Sequence, residues 1–120
     1  MNILIVDDSK AMRMIVRRTL RMAGYHYNLE EASGAVEALQ KIQSDQIDLV
    51  LCDWNMPDMT GLDLLERLRS LGQKVKFGFV TSETSQDMRA TALAAGALFL
   101  ITKPFNPDGF RAVLEPVIGS

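Results

Sequence analysis

Three acidic side chains, a hydroxyl and an ammonium stand close behind short apolar runs in this sequence of 120 residues. Asp7 and Asp8 follow Ile3 to Val6, and Asp53 follows Leu49 to Cys52. Thr81 follows Phe77 to Val80, and Lys103 comes just after Leu98 to Ile101. A single Asp in such a place is ordinarily a cap or a turn residue. Three of them converging on one Lys need another explanation. Two carboxylates about 5 Å apart repel by roughly 3 kcal/mol at an effective dielectric of about 20, and folding alone does not reward that. A hard divalent cation does, and carboxylate oxygens with retained waters are the ligands that Mg2+ prefers. Three carboxylates less one ammonium leave about −2, which one such ion neutralises. A carboxylate beyond those the metal needs can act as a nucleophile toward a phosphoryl group. Lys103 and Thr81 could then bind the phosphoryl oxygens.

This chemistry requires a scaffold that brings the five together, and the hydrophobic pattern supplies one. The apolar runs 3–6, 49–52, 77–80 and 98–101, with a weaker one at 28–32, have the length and continuity of strands buried on both faces. Between them the spacing is helical. Met12, Ile15, Val16, Thr19 and Leu20 share one stripe, as do Phe110, Val113, Leu114, Val117 and Ile118. Val36, Leu39 and Ile42 form a shorter stripe, Leu64, Leu65, Leu68 and Leu71 another, and Ser85 to Ala95 is rich in helix-favouring alanine. Thr60-x-x-Asp63 and Thr84-x-x-Asp87 have the form of capping boxes, Asn106-Pro107 is a helix start, and Gly24, Gly72 and Gly96 stand at helix ends. Pro116 is expected to kink or fray the last turn. Five strands alternating with five helices predict a parallel sheet covered on both faces, with its ligand site at the carboxyl ends of the strands.

Composition narrows the function classes. A net charge of −2 argues against a protein whose affinity comes from neutralising phosphates of nucleic acid or of an anionic membrane. One cysteine, Cys52, excludes an internal disulfide and a Cys-based zinc site, and one histidine, His26, excludes a two-histidine metal site. Neither a signal-peptide pattern nor a run of roughly 18 apolar residues is present. The expectation is a single cytoplasmic domain over residues 1–120, with Cys52 a buried strand residue and His26 inert.

Four segments carry a resemblance that covers essentially the whole chain: Val6-Asp7-Asp8-Ser9, Asp53-Trp54-Asn55-Met56-Pro57-Asp58-Met59-Thr60-Gly61, Val80-Thr81-Ser82 and Thr102-Lys103-Pro104-Phe105. In this order, with βα units between them, they resemble the receiver domains of two-component response regulators. The segment from Asp53 to Gly61 looks most like that of the CheY-like, single-domain chemotaxis regulators. The resemblance implies a doubly wound, flavodoxin-like five-stranded parallel sheet in the order 2-1-3-4-5. It implies phosphorylation on Asp53 from a histidine kinase or a histidine phosphotransfer protein. Asp7, Asp8, Asp53 and the carbonyl of Asn55 would hold Mg2+, and Lys103 would pair with the phosphoryl group. Thr81 would act as the switch hydroxyl, Asn55 and Glu83 would tune phosphoryl lifetime, and Lys103-Pro104 would be a cis bond. It also implies a monomer whose output partner binds the face of the fourth helix, fifth strand and fifth helix, and which catalyses only its own phosphoryl transfer and dephosphorylation. One position departs from the pattern. Leu100 stands where the family usually carries Tyr or Phe, which leaves aromatic-coupled switching and flagellar-motor binding without their usual residue.

Other readings remain beside this one. The chain could be a receiver cut from a longer regulator. A haloacid-dehalogenase-like phosphatase shares the Asp nucleophile and Mg2+, yet Asn55 occupies the place of its general acid. A flavodoxin-like FMN binder would set three carboxylates against a phosphate. Lys10, Arg13, Arg17, Arg18 and Arg21 give the first helix a basic face, either solvated or a docking surface for an acidic or phosphorylated partner. Trp54 is expected beside the pocket, Met12 in the core, and Met56 and Met59 in the active-site loop.

Overall fold

Nearly continuous apolar runs and amphipathic stretches alternate along the chain, and the fold follows that alternation. A computed structural model describes residues 1–82 and 85–118. It contains β1 (Asn2–Val6), α1 (Lys10–Met22), β2 (Asn28–Ala32), α2 (Ala35–Ser44) and β3 (Leu49–Cys52). These are followed by α3 (Gly61–Ser70), β4 (Lys76–Thr81), α4 (Gln86–Ala94), β5 (Leu100–Thr102) and α5 (Pro107–Ile118). The strands form one parallel sheet in the order β2-β1-β3-β4-β5. The chain winds outward to β2 on one side of β1 and to β3, β4 and β5 on the other. β1 and β3 therefore flank the switch point, where open α/β sheets bind ligands.

Register decides what meets at that edge. Val6 pairs with Cys52, Val6 with Ala32, and Thr81 with Thr102. The ladder runs one residue past the strands. Asp7 N donates to Ala32 O (3.1 Å), Asp53 N to Val6 O (2.9 Å) and Lys103 N to Thr81 O (2.9 Å). Asp7, Asp53 and Lys103 thus leave the sheet with their backbones still fixed to neighbouring strands.

Two apolar layers hold the sheet. One joins Leu4, Val6, Val50, Phe77 and Phe79 to Ala38, Ile42, Leu64, Leu65, Leu68 and Ala92 of the second, third and fourth helices. The other joins Ile3, Ile5, Leu49, Leu51 and Ile101 to Val16, Leu20, Phe110 and Leu114 of the first and fifth. Burying a large aliphatic or aromatic side chain stabilises by about 1.5–3 kcal/mol, so these paired layers dominate the stability of the scaffold.

Several local expectations shift. Leu98 is 48% exposed and precedes β5, because its neighbours Phe99 and Leu100 are the residues that enter the two layers. The ring of Phe99 lies over Gly78, where a Cβ would stand 2.1 Å from it, which explains a glycine within β4. Val36 is 53% exposed because α2 turns Ala35 and Ala38 inward instead. Ile15 and Leu71 are exposed as well. Helix α4 is capped by Ser85, whose hydroxyl accepts from Met88 N. The expected cap Thr84 lies outside the described residues, as does Glu83. Ser9 and Thr60 cap α1 and α3, and Asn106 accepts from Gly109 N at the start of α5. Gly24, Gly72 and Gly96 all adopt positive φ at helix ends. Helix α5 runs through Pro116 to Ile118, and the proline removes one backbone donor from its last described turn.

Candidate functional site

The carboxyl edge of the sheet gathers an acidic pocket around one ammonium. Lys103 Nζ lies 3.4 Å from Asp7 Oδ2 and 3.5 Å from Asp53 Oδ1. Asp7, Asp8 and Asp53 each offer a carboxylate oxygen, and these lie within 4.8 Å of one another. Asp7 is buried, Asp53 half-buried and Asp8 exposed, so the cluster opens to solvent on one side. Three hard oxygen donors in that space fit a divalent cation such as Mg2+ better than a soft metal.

Backbone donors orient two of these carboxylates. Asp7 Oδ1 accepts from Ser9 N at 2.9 Å, within the turn that starts α1. Asp53 Oδ1 accepts from Trp54 N at 2.9 Å. Burial pushes the Asp53 carboxyl above its ordinary range and the charge of Asp7 adds to the rise, against the opposing pull of Lys103. Burial likewise pushes the Cys52 thiol well up, as an inert core residue requires. The loop from β3 to α3 returns close against Asp53. Gly61 N donates to Trp54 O at 2.7 Å, and a Cβ at Gly61 would stand 2.3 Å from Asp53 O. A side chain there would force the Asp53 backbone or the Phe79 ring to shift.

The remaining expected residues sit as follows. Thr81 is fully buried at the end of β4. Leu100 is buried in register with Phe79, in the layer that also holds Ala92 of α4. Asn55 is exposed in the β3–α3 loop. Lys103-Pro104 is cis. Trp54 is partly buried against Phe79, with ring centroids 4.9 Å apart, and Met56 and Met59 are partly buried on the same layer. Met12 is partly buried on the opposite layer, and His26 is exposed.

The basic face of α1 is largely consumed by the protein itself. Arg13 pairs with Glu31 at 2.9 Å and donates to Asp7 O at 2.7 Å. Arg17 pairs with the same Glu31 at 2.9 Å, and Arg21 donates to the carbonyls of Tyr25 and Tyr27. Burial raises the Glu31 carboxyl, yet the bonds from Arg13 and Arg17 outweigh it and hold that group below its ordinary range. Only Lys10 and Arg18 of the five are exposed without such a role among the described contacts. Arg13 thereby supports the backbone of Asp7, a part the sequence pattern did not single out. Glu31 was its one signal, an acidic residue on the strand beside β1.

A sequence profile for the response regulator receiver domain matches residues 3–115. The chain belongs to the response regulator receiver family. Receivers are the signalling modules of phosphorelays, and that is the function of this chain. Over its full length it is 39% identical to the chemotaxis protein CheY1 of Helicobacter pylori, covering 98% of that protein. It is 37% identical to a CheY homologue of Campylobacter jejuni, again over the full chain and 94% of the relative. Among solved structures, chemotaxis protein CheY4 of Vibrio cholerae superposes with a TM-score of 0.87 at 35% identity, covering 98% of both chains. This receiver has the fold those relatives share, and the findings support neither the phosphatase nor the flavin-binding reading. Among the described residues, no helix is long and apolar enough to cross a membrane.

Proposed function

We propose that this receiver takes a phosphoryl group onto Asp53 from a phosphohistidine on a donor protein and changes its affinity for an output partner as a result. The observation that carries the reading is the half-buried Asp53 carboxylate, held beside Lys103 and against the Asp7 and Asp8 carboxylates. An Asp53 oxygen bonds to phosphorus while the nitrogen–phosphorus bond of the donor breaks. The departing imidazole nitrogen keeps the electron pair and takes a proton from water. Lys103 faces the charge that collects on the phosphoryl oxygens, and its position 3.5 Å from Asp53 suits that role. Mg2+, held by Asp7, Asp8, Asp53 and the Asn55 carbonyl, would neutralise the surplus negative charge of the pocket. Thr81, at the end of β4, would be drawn toward the phosphoryl group, and Leu100 would answer by repacking between Phe79 and α4.

The same placement supports a reading of the partners. A histidine kinase or phosphotransfer protein would dock over the open side of the pocket. There an apolar recess of about 350 Å³, lined by Met12, Ile15, Lys103, Pro104 and Phe105, adjoins the reactive edge. The output partner would bind the α4–β5–α5 face, and the names of the relatives favour a chemotaxis pathway. In this reading residues 1–120 act as one monomeric receiver in the cytoplasm and catalyse no chemistry beyond their own phosphorylation and its reversal. The test is incubation with acetyl phosphate and Mg2+, followed by mass mapping of the acid-labile group. Label on the peptide containing Asp53 is expected; label confined to another aspartate would overturn the assignment.

A further inference from the structure

Helix α2 begins without a cap of its own. Its N-cap residue is Gly34, which has no side chain to accept from the first backbone N–H groups. Those groups are satisfied from a distance. Ala35 N donates to Asp58 Oδ1 at 3.2 Å and Val36 N to Asp58 Oδ2 at 3.0 Å. Met59 N closes the carboxylate from its own loop, donating to Oδ1 at 3.0 Å. The bare glycine is part of this arrangement. Its backbone is extended, with φ −173°, so any residue could adopt it. A Cβ there, however, would stand 3.0 Å from Asp58 Oδ2 and 3.2 Å from Oδ1. A Ser or Asp cap at position 34 would crowd the incoming carboxylate. The chain has exchanged a local cap for one supplied by Asp58, 23 residues beyond Ala35.

What a distant cap does, and a local one cannot, is tie down a loop. The β3–α3 loop carries Asn55 between Asp53 and Asp58, and its base is closed by the bond from Gly61 N to Trp54 O. Met56 and Met59 give it partial apolar support. Asp58 gives its outer half a polar anchor through the bonds to α2.

We infer that Asp58 is a positioning residue, clasping the β3–α3 loop to the N-terminus of α2 so that Asn55 is held in place at the acidic pocket. The inference rests on the reading above, in which the Asn55 carbonyl completes the Mg2+ site.

Mg2+ titrations followed by Trp54 fluorescence, at fixed ionic strength, test it on three proteins: wild type, Asp58→Ala, and Asp58→Ala with Gly34→Asp. Asp58→Ala is expected to raise the Mg2+ dissociation constant about three- to tenfold, somewhat less than the loss of a group bonded directly to a ligand. It should also lower the melting temperature. The double variant gives α2 a local cap where the carboxylate of Asp58 no longer intrudes. Its melting temperature should recover while Mg2+ binding stays weak. Recovery of both together would show that Asp58 only stabilises the helix, and would overturn the inference. So would unchanged Mg2+ binding in Asp58→Ala beside normal binding in wild type. Absence of any Mg2+ response in wild type would instead remove the metal-site reading, and this inference with it.

Discussion

Two aspartates five residues apart in one loop have opposite circumstances. Asp53 is half-buried at the sheet edge with one backbone donor and an ammonium at 3.5 Å, and burial raises its carboxyl pKa. Asp58 is exposed, yet the N–H groups of Val36, Ala35 and Met59 hold its carboxyl below the usual range. The first is a carboxylate whose charge is poorly compensated, so it gains from a nearby cation. The second is compensated by three backbone donors, which suits a residue that positions its loop and takes no part in the chemistry. Exposure by itself would have ranked them the other way; counting donors against burial separates them.

The largest test of this contrast is chemical. Asp53→Asn should abolish labelling by acetyl phosphate, whereas Asp58→Asn should retain it; intact labelling of Asp53→Asn would erase the distinction. Metal binding comes next. Mg2+ should shift Trp54 fluorescence in wild type, and Asp8→Ala should weaken that response by at least about tenfold, since it removes a donor at the pocket itself. An Asp8→Ala protein that titrates like wild type would place the ion elsewhere.

Stability should move in opposite directions at the two sites. In metal-free buffer near pH 7, Asp53→Asn should raise the melting temperature, because it removes a charge that burial disfavours. Asp58→Ala should lower it by about 3–6 °C, taking about 1 kcal/mol for a lost N-cap in a chain of this size. Calorimetry of the two variants checks both signs.

The smallest effect is its pH dependence. A raised carboxyl pKa at Asp53 means a stability cost that is full above that raised value and fades as pH falls through it toward the ordinary range. A depressed pKa at Asp58 means a gain present above the ordinary value and lost as pH falls through the depressed one. On acidification, the melting-temperature gap between wild type and Asp53→Asn should therefore close first. The gap between wild type and Asp58→Asn should close only at lower pH. The reverse order would contradict the assignment of the two environments.

The acidic edge was readable in advance because it depends on local patterns repeated in order. Each strand is a short apolar run, and the polar residue that follows it must emerge at the carboxyl end once the sheet is parallel. Asp7, Asp8, Asp53 and Lys103 were found that way. The start of β5 was less legible. Leu98 is as apolar as Leu100, and only pairing with β4 decides which of them is covered. Val36 misled for a similar reason, because small Ala35 and Ala38 approach the sheet more closely than a branched side chain would.

The amino-acid sequence thus determined the alternating βα architecture, the caps at Thr60 and Asn106, the helix ends at three glycines and the gathering of carboxylates at one edge. All of these follow from contacts within a few residues, or from a period that local geometry imposes. Tertiary structure alone decided that Arg13 and Arg17 serve Glu31, that Arg13 braces Asp7, and that Asp58 caps a helix lacking a cap of its own. These pairs lie up to 23 residues apart, apart from the local step from Arg13 to Asp7. No periodicity encodes them, and a charged side chain on a surface carries no mark of its partner until the strand order sets them side by side.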